Sequence, residues 1–538
     1  MNRISKFLKF KHFLILLIVV NCQTFSEDNS HSIEQKLPFE LSEKSVADLQ
    51  KEMQSGNYTS KQITQLYIDR IHEIDRGENG LNAVLEINPD AIEIASILDR
   101  ERMSGKIRGP LHGIPILIKD NIDSGDKMST SAGSLALKDS KAKQDAFIVN
   151  KLREAGAVLL GKTNLSEWAN FRSLRSSSGW SSRGGQTRNP YYLDRNPCGS
   201  SAGSGVAVSA SLCAIAIGTE TNGSIVCPSS SNGVVGIKPT VGLWSRSGII
   251  PISKTQDTAG PMARTVADAA ALLGPLTGVD DNDDITSEST GKTFTDYTKF
   301  LDAEGLKGKK IGILRDAFGI NEKVDSIMEK SISILKSKGA EVIDSIKIDN
   351  SNKFGSASFA LLQFEFKDGL NKYLAGLGSE SPIKSLEELI NFNEENRDEC
   401  MPYFEQEILI LSEQRESLAS EKYKEVLEKV IRLARQEGLD VTLSKFDLDA
   451  IVAPTGSPAW PIDLINGDHF SLSSSSPAAR SGYPNITVPA GNVNGLPVGI
   501  SFFSGPYQEP KLISIAYAFE QASNARIVPQ LLPTLVIK

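Results

Sequence analysis

Residues 196–205 read NPCGSSAGSG and run straight into Val206–Gly218, VAVSASLCAIAIG, and then Thr219–Pro228, TETNGSIVCP. Serine and glycine at this density would suit a flexible linker. A linker does not continue into a run of small, mostly apolar residues that has to be packed away from water. Glycines set against a packed wall mark places where the backbone turns tightly or approaches a ligand.

Outward from this block, between Gly109 and Gly274, short β-branched runs alternate with Gly/Ser-rich turns. Ile114–Ile118, Ala157–Leu160, Cys213–Ile217 and Gly233–Ile237 read as strands, and Ala146–Ala155 and Ser204–Ser211 as helices between them. That alternation predicts an α/β sheet covered by helices. Further out, Lys310–Arg315, Glu341–Ile346, Leu448–Ala453, Ile486–Val488 and Pro497–Phe503 read as additional strands, and residues 401–438 as a long charged helical region. Upstream, helices are expected from Ser45, after Thr59-Ser60 with Ile63, Leu66, Tyr67, Ile71 and Ile74 on one stripe, and over Pro89–Met103. No internal repeat is present. The reading is one domain over 45–538, with a more variable helical region near 280–440.

The N-terminus is a separate unit. Arg3, Lys6, Lys9 and Lys11 precede the apolar run Phe13–Val20, the layout of a secretory signal peptide. Eight apolar residues are too few to span a bilayer. Cys22 follows Val19-Val20-Asn21, which resembles a relaxed bacterial lipobox, so residues 1–22 read as a lipoprotein signal or an ordinary one cleaved nearby. Either implies export, to the periplasm or to a membrane anchor through lipidated Cys22. Residues 23–44 read as a flexible tether. The net charge of −8 over 538 residues leaves no basic footprint for nucleic acid. Cys198, Cys213, Cys227 and Cys400 have no metal-ligand spacing and are expected as small buried apolar groups; whether any pair forms a disulfide stays open.

A serine hydroxyl needs a base before it attacks. The five histidines, His12, His31, His72, His112 and His469, lie in the signal, the tether, a charged helix face and two turn-rich stretches, so none makes an attractive triad partner. Gly199–Gly203 fits a GxSxG elbow with Ser201 as nucleophile, but the preceding YYLDRNPC does not read as the strand that motif requires. A lysine replaces histidine if burial keeps it neutral. Gly113–Asn121, GIPILIKDN, carries an apolar strand running up to Lys119. Asp120 beside it points to the opposite face.

Together the blocks around Lys119, Ser200 and Ser224 resemble the amidase signature family. Thr130–Ser134 (TSAGS), Gly161–Glu167 (GKTNLSE), Gly248–Ala263 ending in GPMA, Ala450–Thr455 (AIVAPT) and Gly482–Gly491 (GYPNITVPAG) occur in the matching order. The resemblance implies a large mixed twisted β-sheet with helices on both faces. It also implies Lys119 as base, Ser200 as a bridging serine whose preceding peptide bond is cis, and Ser224 as nucleophile. Backbone N–H groups of Thr221, Asn222, Gly223 and Ser224 would hold the oxyanion, and the Ala169 backbone would contact substrate. Asp257 braces the nucleophile loop or serves as a turn aspartate. No cofactor and no metal are implied. The implied activity is hydrolysis of carboxylic or peptide C-terminal amides through an acyl-enzyme on Ser224, by a monomer or homodimer acting on a small-molecule or peptide amide. Ala202 and Asn222 depart from common family patterns. Val226 stands where many members, including the glutamine-amidotransferase ones, carry arginine, and GTETNGSIVCP with NPCGSSAGSG is closer to the bacterial peptide-amidase branch, in which aspartate is common at the position of Asn222. The competing readings are a glutamine-amidotransferase component, working with partner subunits, and an exported lipoprotein that keeps the fold but only binds.

Overall fold

The computed structural model describes residues 39–351, 353–379 and 381–537; the signal-like segment, Cys22 and most of the expected tether lie outside them. Among the described residues thirteen strands are formed: β1 Val84–Ile87, β2 Pro115–Lys119, β3 Val158–Thr163, β4 Trp180–Ser181, β5 Gly185–Gln186, β6 Ile215–Glu220, β7 Val235–Lys238, β8 Thr258–Ala263, β9 Lys310–Leu314, β10 Glu341–Ile346, β11 Ala450–Pro454, β12 Asn485–Val493 and β13 Leu496–Phe503. Eleven make one sheet in the order β1-β3-β2-β6-β8-β7-β12-β13-β11-β9-β10, and β4 and β5 pair separately. The sheet is mixed. β3, β2 and β6 run parallel to one another, as do β11, β9 and β10, and the pairs from β6 to β11 through the centre are antiparallel.

β2, β3, β6, β7 and β8 are buried along their whole length, which is why the first four read as short apolar runs rather than alternating ones; β8, TAGPMA, is a strand that the sequence reading did not identify. Helices cover both faces. Ala202–Ser209 lies against β2, β3, β6 and β8, and Glu509–Ser523 against β12 and β13. The first of these is built from small residues because it sits so close to its neighbours: a Cβ at Gly203 would stand 2.2 Å from the Ala83 carbonyl oxygen.

Upstream helices follow their caps. Ser45 and Asp48 close a capping box on Val46–Ser55, and Thr59 and Gln62 close one on Ser60–Ile74. Ile63, Tyr67 and Ile71 of the expected stripe are buried, and Leu66 and Ile74 are half-buried. The third helix spans Ala91–Met103.

One expectation is corrected and two are made specific. Leu41 is fully buried and Glu43 pairs with Arg526 at 2.7 Å, so the last residues assigned to the tether belong to the packed body. Residues 401–438 are not one helix. Glu407–Glu413 and Glu421–Ala434 are separated by a turn, because Ser420 leaves the helical path to cap the second helix, accepting from the Tyr423 N–H at 3.3 Å. Cys198 and Cys227 form a disulfide across 29 residues and pack on Trp460, while Cys213 and Cys400 are free and buried as expected.

Helices between Gly355 and Glu413 form an apolar cluster of their own. Phe366, Leu370, Leu389 and Leu409 pack with Trp168, Phe171, Ile250 and Ile252, residues of loops from the sheet side. Asp368, Gly369 and Tyr373 of this roof line one cavity with Thr219 and Glu220 at the end of β6.

Candidate active site

β2 delivers Lys119 from a fully buried strand, with no exposure of the lysine itself. Its Nζ lies 2.7 Å from Ser200 Oγ, 2.8 Å from Thr219 Oγ1 and 3.3 Å from the Thr219 carbonyl oxygen. Burial pushes its pKa down to about 7, against the opposing influence of Asp257 and Glu220. A neutral amine has two N–H bonds and one lone pair. The Thr219 carbonyl accepts one N–H, and the Thr219 hydroxyl oxygen, which also accepts from Asn121 Nδ2 at 3.0 Å, accepts the other. The lone pair is left facing the Ser200 hydroxyl. Asp120 turns the other way, to Ser131, the Gly133 N–H and Arg183, as the alternation of side chains requires.

The peptide bond between Gly199 and Ser200 is cis. Gly199 is held so closely that a Cβ there would sit 2.2 Å from Ser166 Oγ. Ser200 is fully buried, and its carbonyl accepts from the Ser166 N–H at 3.1 Å. The next residue joins the two serine segments: the Ser201 N–H donates to the Ser224 carbonyl at 3.1 Å, and Ser201 Oγ donates to the Thr219 carbonyl at 3.0 Å. Ser201 is buried and engaged with backbone, so the GxSxG match carries no exposed nucleophile.

β6 ends at Glu220, and the chain then makes the turn Thr221–Ser224. Gly223 has φ +89°, a conformation L side chains rarely adopt. Among the described residues, none of the four N–H groups from Thr221 to Ser224 donates to an acceptor of the chain. Unused backbone donors on four successive residues ending in a serine are what a developing oxyanion can draw on. Ser224 keeps 9% of its surface exposed, while Ser200 and Lys119 keep none. The order of exposure is that of a nucleophile open to substrate and a base sealed from water.

The family profile described as Amidase matches residues 62–513. The chain belongs to the amidase signature family. A probable amidase of Arabidopsis thaliana is 42% identical over 536 residues, covering 98% of this chain and 99% of the relative. The structure of native peptide amidase from Stenotrophomonas maltophilia superposes with a TM-score of 0.87 at 49% identity, covering 92% of this chain and 100% of that one. A putative amidase of Schizosaccharomyces pombe is 38% identical over 524 residues, 91% of this chain and 87% of the relative. A glutamyl-tRNA(Gln) amidotransferase component of Halorhodospira halophila is more distant, 30% identical over 495 residues, 90% of this chain and 98% of the relative. The chain is thus an amidase, a hydrolase of linear amide C–N bonds on the large mixed sheet of this family.

Sequence reasoning missed the residues that hold the turn. Glu220 Oε2 accepts from the Ile225 and Val226 N–H groups at 2.8 and 3.0 Å, fixing the chain just after Ser224. A carboxylate inside an otherwise small, uncharged stretch was the available signal. Asp257 resolves in favour of a brace: Oδ1 accepts from the Thr221 hydroxyl, and Oδ2 from the Ile252 and Ser253 N–H groups, both at 2.7 Å. Burial pushes its pKa up to about 6. Asn222, expected only through its backbone, also anchors the turn by its side chain, accepting from Ser475 Oγ at 2.7 Å and donating to Ser476 Oγ at 3.2 Å.

A cavity of about 350 Å³ opens against Thr219, Glu220 and Thr221 and is bounded across from them by Ala169 and Tyr373. Ala169 reaches it from Trp168–Asn170, three consecutive residues with φ between 52° and 68°. Each such non-glycine residue costs on the order of 1 kcal/mol, and such strain persists only where surrounding packing imposes it. Here the imposing contacts are the roof cluster around Trp168 and the Trp168 N–H donating to the Ala132 carbonyl at 2.9 Å.

Proposed function

We propose that this amidase removes C-terminal amides from peptides, releasing ammonia, through an acyl-enzyme on Ser224. The observation that carries the reading is the buried Lys119 with its Nζ 2.7 Å from Ser200 Oγ, set beside a turn whose four N–H groups are unused among the described residues. Neutral Lys119 accepts the Ser200 proton as Ser200 accepts that of Ser224. The Ser224 oxygen bonds to the amide carbonyl carbon, and the N–H groups of Thr221–Ser224 receive the negative charge. The proton returns through Ser200 to the departing nitrogen, the C–N bond breaks and ammonia leaves. Water then repeats the sequence to release the acid. Peptide amides are favoured over other amides because the Stenotrophomonas enzyme of that name shares 49% identity over essentially its whole chain. The amidotransferase reading rests on lower identity and on no matching arginine, since Val226 occupies that position.

The reading includes export, by the basic and apolar layout of residues 1–22. The Cys198–Cys227 disulfide supports it, because such bonds persist in oxidising compartments.

The test combines turnover with covalent labelling. Ammonia release from peptide C-terminal amides, and labelling by a fluorophosphonate, are expected in the wild type and absent in Ser224→Ala. A labelled alanine variant overturns the nucleophile assignment, and a wild type that neither labels nor turns over supports the binding-protein reading.

A further inference from the structure

A second cavity, of about 360 Å³, is lined by Ser476, which accepts from Asn222 of the nucleophile turn at 3.2 Å. One wall is apolar, with Phe354 and Leu433; the other carries Ser473, Ser474, Ser476 and Arg480.

Arg480 has an unusual standing for an arginine in such a place. Its guanidinium lies over the Phe354 ring, 5.0 Å from the centroid, and Nη1 donates to the Ser351 carbonyl at 3.1 Å. Nε is buried and has no hydrogen-bond partner among the described residues. Burial lowers its pKa with no carboxylate opposing the shift, yet a guanidinium does not lose its proton. The one acid lining the cavity, Asp316, is half-exposed and faces Lys347 at 3.8 Å. The Ser474 hydroxyl, in a residue 4% exposed, also lacks a partner among the described residues. A cationic guanidinium and a serine on one cavity wall, with no carboxylate among the described residues paired to the guanidinium, suit an anionic group seated against that wall. A carboxylate is such a group, and guanidinium matches its geometry.

We propose that this cavity is a subsite for a carboxylate on the acyl part of the substrate, held by Arg480 and Ser474. The inference rests on the peptide-amide reading: when ammonia is the leaving group, every extended feature of the substrate lies on the acyl side. The preferred substrates are then peptide amides with an acidic side chain near the amidated residue.

The experiment compares kcat/KM for acetyl-Glu-Phe amide, acetyl-Gln-Phe amide and acetyl-Lys-Phe amide. Wild type is expected to prefer the glutamyl over the glutaminyl substrate by about tenfold or more. In Arg480→Gln that ratio falls to about one, mainly through KM, and in Arg480→Glu the order inverts toward the lysyl substrate. A general loss of packing would lower all three rates together and leave the ratios in place. Calorimetric binding of the acid acetyl-Glu-Phe, to Ser224→Ala and to Ser224→Ala/Arg480→Gln, separates subsite from activity. Arg480-dependent binding without any hydrolysis would mean that the peptide-amidase reading is wrong and the carboxylate site stands. Hydrolysis without charge preference, or binding indifferent to Arg480, overturns the subsite.

Discussion

A lysine in water at neutral pH is a cation and no base. What changes Lys119 is its burial, which brings its pKa down to about 7, so that the neutral amine is accessible near neutrality. The base acts only when deprotonated, so activity is present above pH 7 and is lost as pH falls through that value. We expect kcat/KM to rise through pH 7 and level off above about pH 8. Lys119→Arg should lower turnover by about 10²–10⁴, because arginine keeps its proton. A pH profile flat from 6 to 9, or an active arginine variant, rules out the base role. This residue was legible in the sequence because PILIK is an apolar run ending in a charge. Its partner Thr219 was not legible, since a threonine at the end of an apolar strand gives no sign that its carbonyl and hydroxyl will both face an amine from another strand.

At the scale of elements, the nucleophile turn is held from several sides. Glu220 secures it from β6, Asp257 from the segment entering β8, Asn222 through Ser475 and Ser476, and the Cys198–Cys227 bond ties the segment before Ser200 to the helix after Ser224. Closing a loop of 29 residues stabilises a fold by about 3–4 kcal/mol in the chain-entropy account. Cys198→Ala/Cys227→Ala should therefore lower the midpoint of denaturant unfolding, and a reducing agent should do the same to the wild type alone. An unchanged midpoint in the double variant contradicts this. The strands of the centre were legible because β2, β3, β6 and β7 are continuous apolar runs. The disulfide was not. Two cysteines in separate small-residue stretches pair only once the two serine segments are side by side, and that proximity is a property of tertiary packing. The break in 401–438 was hidden for a related reason: Ser420 acts as a cap or as a helix residue according to its backbone, and composition does not distinguish the two.

For the whole molecule, the joint order of the blocks from Gly113 to Gly491 carried the fold class, and an eleven-stranded sheet with helices on both faces follows from it. Strand order was not legible, because β7 takes β12 as a neighbour from far along the chain. The cavities were not legible either, since Ser473–Ser476 read as a turn and become a wall only when brought against Asn222. The N-terminal reading is a matter for the intact protein. Mass spectrometry of the chain expressed in a bacterium should find a mature N-terminus at or shortly after Cys22, acylated if that cysteine is the lipidation site. A cytosolic chain that retains residues 1–22 overturns export.

The pairing of β7 with β12 sets Lys238 opposite Asn485, 247 positions later in the chain. A ribosome adding about 5–20 residues each second needs roughly 12–50 s to cover that span. Throughout that interval Lys119, Ser200 and Ser224 have been synthesised, yet β7 presents an unpaired row of backbone N–H and C=O groups to whatever strand is near. The finished protein hides this edge at the middle of its sheet. During synthesis it is the rim, and the chain is more vulnerable to aggregation as a nascent polypeptide than at any time after release.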